Sequence, residues 1–373
     1  MNGSPYAPTV RPEPTSRVRF RSILVTLPLI VTVFSCAHRT PTPPDISKRK
    51  HETNLAGATL RFEHTRPQMG VPFRLVVYAT NELHARRATD AAFARIEMLN
   101  GILSDYDPDS ELSQLSQTSG LGTNVVVSLD LWTVLRSAQE LARESGGAFD
   151  VTVGPVVNLW RKARRERQMP RPDLLQSARA RVGWKHLHLD RRHRTARLDL
   201  TDMRLDLGGI AKGYAIDEAL KVLTAQGIES ALVSGGGDLA VSAPPPGRAG
   251  WRISLAPLDF TNAPPAKSAL LRHAALATSG DVFQHVELEG RRYSHIVDPR
   301  TGVGITDHSL VTIIAPDCTT ADGLATAVSV LGPAPGLRLL GSYSGVEAQI
   351  VRAPEGAVET RATRHFSKFL EAP

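Results

Sequence analysis

Thiols are almost absent: Cys36 and Cys318 are the only cysteines in 373 residues. Two cysteines permit at most one disulfide, and none remains if Cys36 is itself modified. Cys318 then reads as an inert, partly buried thiol. Long apolar runs are missing too, since the stretch from Ile23 to Phe34 is too short to span a bilayer comfortably. Charge of one sign is modest. The formal net charge is +7, of which residues 1–35 carry +3 through Arg11, Arg17, Arg19, Arg21 and Glu13, leaving about +4 for the rest. That balance removes most of the case for nucleic acid as a partner. The glycine-rich segments lack P-loop spacing, which excludes a standard nucleoside-triphosphate site. Gly235, Gly237 and Ala240 fit a G-x-G-x-x-A pattern, but Pro244 to Pro246 follow at once and no acid sits twenty residues on. A Rossmann site is therefore excluded. No internal repeat or low-complexity block interrupts the body.

What is present begins with address information. Arginines, a short apolar run and a small residue before Cys36 read as a secretory signal peptide over 1–35. Val33, Phe34, Ser35 and Cys36 resemble a bacterial lipobox, in which the cysteine becomes the lipidated first residue. An uncleaved anchor is the alternative, and both place the body outside the cytoplasm. Residues 36–58 contain a stretch rich in Pro, Thr and Lys that reads as a tether. The body is expected over 59–373. The basic clusters Arg161–Arg167 and Arg191–Arg194 read as solvated faces, or as surfaces resting on an anionic membrane.

Within the body, Val71 to Tyr78 reads as a strand, as do Ser230–Val233, Trp251–Leu255, Leu310–Ile314 and Val346–Val351. Thr89 is expected to cap a helix with Phe93, Ile96, Leu99 and Leu103 on one face, and Ser128 a second with Leu131, Val134, Leu135, Ala138 and Leu141 inside. Gly146 and Gly147 close that second helix. Thr319 or Thr320 is expected to cap a third, with Leu324, Ala327, Val328 and Leu331 facing inward and Gly332 and Pro333 ending it. Strands and helices without regular alternation point to an α+β fold rather than a doubly wound sheet.

The densest chemistry lies in DLGGIAKGYAID, Asp206 to Asp217. Gly208 and Gly209 allow close backbone approach, and Ala215, Ala219, Leu220 and Leu223 recur at helical spacing as far as Gly227. Lys212 then stands in the first helical turn, where free N–H groups also favour an anion. The same pattern also suits a buried strand-to-helix turn, and spacing alone does not separate the two. In TADGLAT, Asp322 and Thr326 share a helical face. A carboxylate with a hydroxyl suits a hard cation such as magnesium, and equally suits a capping acid beside a solvent-facing threonine. His295, in YSHIVDPRTG, is the side chain poised nearest neutral pH, although a lone histidine is more often structural. Phe149 and Tyr106 each place an aromatic beside polar groups, suited to stacking on a flat ring or to helix-end packing.

These segments occur in one order: Met69 and Gly70, LSDYDPDSELSQLS, GAFDVTVGPVVNLW, DLGGIAKGYAID, SGGGDLA, ATSGD, YSHIVDPRTG and TADGLAT. In that order the chain resembles the ApbE-type FAD:protein FMN transferases over roughly residues 59–360. The resemblance implies a single α+β, T-fold-related domain with FAD in an extended cleft. It implies transfer of the FMN half of FAD, through a phosphoester bond, to a Thr or Ser hydroxyl of another protein, with release of AMP. By position it places Met69, Tyr106, Ala148, Phe149, Asp150, Asp206, Lys212 and Ile296 along FAD. It places Mg2+ between the Gly209 carbonyl, Asp322 and Thr326, and His295 as base toward the acceptor hydroxyl. It also implies partners carrying an FMN-binding domain in membrane or periplasmic redox complexes. With the lipidation motif at Cys36, the expected location is a bacterial membrane, facing the periplasm or the exterior. Two other functions fit the same residues: an Mg-dependent FAD pyrophosphatase giving FMN and AMP, and a lipoprotein that only binds FAD.

Overall fold

The computed structural model describes residues 59–258, 267–281, 284–353 and 357–371. The expected signal peptide, the lipidation site at Cys36 and the tether lie outside the described residues. The chain runs β1 (Leu60–Gln68), β2 (Val71–Ala79), α1 (Glu82–Leu103), α2 (Glu111–Gln117), β3 (Val125–Val126), α3 (Leu129–Glu144), α4 (Gly154–Glu166) and α5 (Pro172–Arg179). It continues with β4 (Leu187–Asp190), β5 (Thr195–Leu198), α6 (Ala211–Ala225), β6 (Ala231–Gly235), β7 (Asp238–Val241), β8 (Trp251–Ser254), β9 (Ser268–Leu271) and β10 (Ala274–Gly280). Last come β11 (His285–Leu288), β12 (Arg291–Ser294), β13 (Val297–Asp298), β14 (Val303–Gly304), β15 (Ser309–Ala315), α7 (Cys318–Leu331), α8 (Pro333–Leu340), β16 (Glu347–Arg352) and β17 (Glu359–Ala362).

An antiparallel sheet ordered β1-β2-β6-β7-β10-β15-β16-β17 organises the fold. Alternation along its strands feeds two cores. Phe73, Leu75, Val77, Ala275, Ala277, Val311 and Ile313 point to the face covered by α1, α6 and α7. Val76, Leu276 and Ile314 point to the other face, where Trp251 and Phe366 cover them. This is the period-two pattern of a sheet buried on both sides. A third, smaller core joins Val156, Trp160 and Ala163 of α4 to Val286, Leu288 and Tyr293 of the β11–β12 hairpin.

The α+β expectation holds, and the apolar helix faces are buried as expected. Two caps are not where they were expected. α1 begins about two turns before Thr89, capped by Asn81, and the buried Thr89 hydroxyl donates back to the Ala85 carbonyl at 3.0 Å. Likewise α7 is capped by Asp317, whose Oδ1 accepts from Thr320 N at 2.8 Å. In both cases a stronger capping side chain stands upstream of the threonine, well before Thr89 in α1 and directly before the threonines in α7. Strand β1 was not anticipated. It lies at an edge and carries Arg61, Glu63, His64, Arg66 and Pro67, the charged and proline-bearing sequence that shields an edge from further pairing.

Candidate active site

The Asp206–Ile210 turn delivers α6 without a side-chain cap, so Ala211 N turns back to Leu207 O at 2.8 Å. Lys212 follows in the first turn, and its ammonium is surrounded by oxygen. Nζ donates to Asp322 Oδ2 at 3.1 Å, Asp322 Oδ1 at 3.3 Å and Gly208 O at 3.2 Å. Asp238 Oδ2 stands 3.1 Å away as an ion pair whose angle falls outside hydrogen-bonding geometry. Asp238 and Asp322 are each only 3% exposed. Burial alone would lower the ammonium's pKa, but the two carboxylates hold it above its ordinary value. Burial, aided by repulsion from Asp322, pushes the Asp238 carboxyl upward against the pull of Lys212.

α6 and α7 meet with almost no separation. A Cβ added at Gly213 would lie 2.3 Å from Cys318 O. Gly213 N, which the helical pattern would aim at the Gly209 carbonyl, donates instead to Asp322 Oδ2 at 3.0 Å. A Cβ at Gly209 would lie 3.0 Å from Thr326 Oγ1 and 3.2 Å from the Phe149 ring, so these three residues converge. Ser279 Oγ, near the end of β10, lies 3.4 Å from Thr326 Oγ1. Asp217, which closes the same motif, has its contacts spent on the start of α7: it accepts from Cys318 N at 2.8 Å, Thr319 N at 2.8 Å and Thr319 Oγ1 at 2.6 Å.

Three further segments are tied to this seam. Arg161 of α4 bridges Asp105, on the loop after α1, and Asp206 Oδ2 at 3.0 Å, and its guanidinium lies 4.2 Å from the Tyr106 ring centre. Arg161 is therefore no solvated surface residue, contrary to the sequence reading of its cluster. No local spacing signals this, because both acids arrive from distant segments. Tyr106 itself is 74% exposed. Asp206 N donates to Val151 O at 2.7 Å, which binds the turn to the segment of Ala148, Phe149 and Asp150. Asp150 has its carboxylate spent locally, on Thr152 N at 2.8 Å, Thr152 Oγ1 at 2.7 Å and Trp184 N at 2.8 Å. Met69 and Gly70 form the two-residue β1–β2 turn with φ of 50° and 76°, matching the twist of the strands. Above Lys212 lies Gly236 at φ 64°, where a Cβ would come within 3.1 Å of Lys212 Cδ and 3.5 Å of Val71.

His295 stands at the open end of the β11–β12 hairpin, half-buried beside buried Ile296. The Gln284 carbonyl accepts from His295 N and lies 3.0 Å from Nδ1. A carbonyl only accepts, so Nδ1 carries the proton and Nε2 keeps its lone pair. Burial, with the positive charges of Arg164 and Lys212, pushes the imidazole down to about 4. It is neutral at physiological pH and shares the electrostatic field of the Lys212 site.

The model of the ApbE family matches residues 69–350. The FAD:protein FMN transferase of Haemophilus influenzae is 32% identical over 284 residues, covering 74% of this chain and 82% of that protein. The one from Treponema pallidum is 34% identical over 322 residues, covering 80% and 88%. Among solved structures, the flavin transferase ApbE from Vibrio cholerae superimposes with a TM-score of 0.75 at 28% identity, covering 84% of this chain and all of that one. The apo flavinyl transferase ApbE of Pseudomonas stutzeri gives 0.75 at 29% identity, covering 85% and 99%. The chain belongs to the ApbE family.

For this ApbE-family chain, geometry brings together Gly209, Lys212, Asp322, Thr326 and Phe149, with Asp206 bonded into the turn and Met69 in the hairpin turn beside Val71. Asp238 joins them, a residue that the sequence presents only within SGGGDLA, with no role of its own. No three His, Cys, Asp or Glu side chains gather as a metal cage among the described residues. A cation here would rest on one carboxylate, a hydroxyl, a peptide carbonyl and oxygens brought by a ligand. That donor set fits a hard divalent ion, and Asp322 already attracts the Lys212 ammonium. A separate cavity of about 890 Å3 opens beside Tyr214, Asp217, Leu220 and Thr319, and none of the candidate site residues lines it.

Proposed function

We propose that this chain transfers the FMN half of FAD to a Thr or Ser hydroxyl of a partner protein and releases AMP. The reading rests on one juxtaposition: a half-buried ammonium on a buried carboxylate at a helix start, within whose electrostatic field stands a neutral histidine with a free Nε2. The relatives' name, FAD:protein FMN transferase, supplies the substrate. Pyrophosphate cleavage is limited by charge on the phosphoryl oxygens, so positioning and electrostatic stabilisation carry the rate. Lys212 would meet an oxygen of the pyrophosphate. The Gly209 carbonyl, Asp322 and Thr326 would hold Mg2+, which when bound supplies charge neutralisation at the phosphates. Met69, Tyr106, Ala148, Phe149, Asp150, Asp206 and Ile296 would line the rest of FAD, with Asp150 acting through its backbone because its carboxylate is committed.

A protein hydroxyl needs a base near neutral pH. His295 Nε2 would take its proton as the hydroxyl oxygen bonds to the FMN-side phosphorus. The bridging P–O bond then breaks, and AMP leaves with that oxygen. The acceptor would carry an FMN-binding domain in a membrane or periplasmic redox complex. Cys36 would bear lipid and hold the enzyme on the outer side of a bacterial membrane; Cys36→Ser should move it from the membrane fraction to the soluble fraction.

The deciding assay incubates the chain with FAD, Mg2+ and an FMN-binding-domain protein. Covalent flavin on the acceptor supports transfer. Free FMN with AMP points to a pyrophosphatase, and unchanged FAD to a binding protein.

A further inference from the structure

Asp281 follows β10 and is 3% exposed. Its carboxylate meets Arg292 Nε at 2.5 Å, His308 Nδ1 at 2.8 Å and Ser309 N at 3.3 Å. Arg292 Nη2 also donates to the Asp281 carbonyl at 3.0 Å and lies 3.0 Å from His285 Nδ1. Arg292 belongs to β12, and β12 pairs with β11 through His285 and Ser294. The ion pair therefore fastens the open end of the hairpin. There the Gln284 carbonyl receives both N–H groups of His295. A peptide carbonyl can orient a ring only if its own chain is held, and Asp281 is the buried anchor just ahead of Gln284.

We infer that the Asp281–Arg292 ion pair is a positioning device for His295, fixing the Gln284 carbonyl that selects the Nδ1–H tautomer and aims Nε2 at the acceptor hydroxyl. The inference rests on His295 being the base. The charged groups facing His295 are Arg164 from α4, Lys212 from α6 and Asp281 itself, with His285 and His308 flanking the clamp.

Outer partners that orient metal-binding imidazoles are worth about 10–100-fold, and a catalytic imidazole held through a carbonyl is expected to depend on its support to a similar degree. Asp281→Asn should lower kcat for transfer by about that factor and leave KM for FAD unchanged. Loss of the Asp281 charge alone would push the imidazole slightly further down, but burial is the largest cause of its depression, so as the ring loosens into solvent the acid limb of the kcat profile should move up toward the ordinary histidine value of about 6.5. Arg292→Lys, which keeps the charge but loses the forked donor, should show the same shift with a smaller loss. If thermal unfolding shows Asp281→Asn to be unfolded, Arg292→Lys reads the same limb. A fall in kcat with the acid limb unmoved, or a parallel rise in KM for FAD, overturns the inference. His295→Ala separates it from the base assignment: normal transfer by that variant ends both. If His295→Ala is inactive while Asp281→Asn keeps full rate and its original limb, only the positioning role fails.

Discussion

The α6–α7 seam and the β11–β12 hairpin carry the two halves of the candidate chemistry, and they are built differently. The seam lies inside the main core. Lys212 and Asp322 sit where glycine lets two helices touch, with Asp238 of β7 paired to the same ammonium, so these groups are set by packing that the fold itself requires. The hairpin packs on the smaller core of α4, and His295 is set by one carbonyl and the ion pair behind it. The difference teaches that binding should be hard to separate from folding, whereas transfer should be removable with the fold left standing.

The hardest test of that contrast is His295→Ala. Loss of a general base removes about 10²–10⁴-fold in rate, so flavinylation of the acceptor should collapse while FAD titrates as in the parent and the fold stays cooperative. Normal flavinylation would end the contrast. The parent enzyme's pH profile sharpens it. The imidazole is pushed down to about 4, so the neutral, active form persists below the usual histidine range. Transfer should fall only as pH drops toward about 4. The same depression means His295 contributes stability above about 6.5 that is lost as pH falls through the folded value near 4. An acid limb near 6.5 in the parent would contradict the described environment.

Lys212→Met comes next. It keeps the stem but leaves two buried carboxylates without their cation. A charged hydrogen-bonding partner is worth about 1.5–3 kcal/mol, and here the loss should appear both as weaker FAD binding and as lower Tm. Movement of only one of them would show that binding and folding are separable at the seam after all. Gly213→Ala isolates the packing. The added methyl would meet Cys318 O at 2.3 Å, so α6 and α7 must part, at about 1–3 kcal/mol of stability. Unchanged thermal unfolding of this variant would mean that the seam is looser than described.

The same contrast explains which parts were legible in the sequence. Phe93, Ile96 and Leu99, and Leu131, Val134 and Leu135, announced their helices because burial imposes a period that sequence displays directly. Asp322 and Thr326 announced a shared face for the same reason. The caps lie at Asn81 and Asp317 rather than at Thr89 and Thr320 because threonine can cap too, and only the backbone decides which of several able residues turns the chain. Arg161 was read as surface because its partners Asp105 and Asp206 are far off in sequence, and no periodicity encodes a long-range ion pair. The Asp281–Arg292 pair is not legible for a related reason: Asp281 ends ATSGD, but only the pairing of β11 with β12 brings Arg292 back to it. Strand β1 hid because its outer face is charged, and an edge strand needs little apolar signal.

Asp217→Asn offers the finest test, because Asp217 shares the seam with Asp322 yet has every contact spent on the start of α7. Burial pushes its carboxyl up to about 6. An unfolded aspartate titrates near about 3.9, so the folded state holds the proton more tightly. Its contribution is fully present below that unfolded value and is lost as pH rises through about 6. Asparagine keeps an oxygen for one amide of α7 but carries no buried charge. The substitution should therefore change stability by only about 1 kcal/mol at neutral pH, the scale of a helix cap, and leave transfer intact. Between pH 4 and 7 the parent should lose stability relative to the variant. A variant that instead lost transfer, or fell behind the parent as pH rose, would mean that Asp217 belongs with the chemistry rather than with the helix it caps.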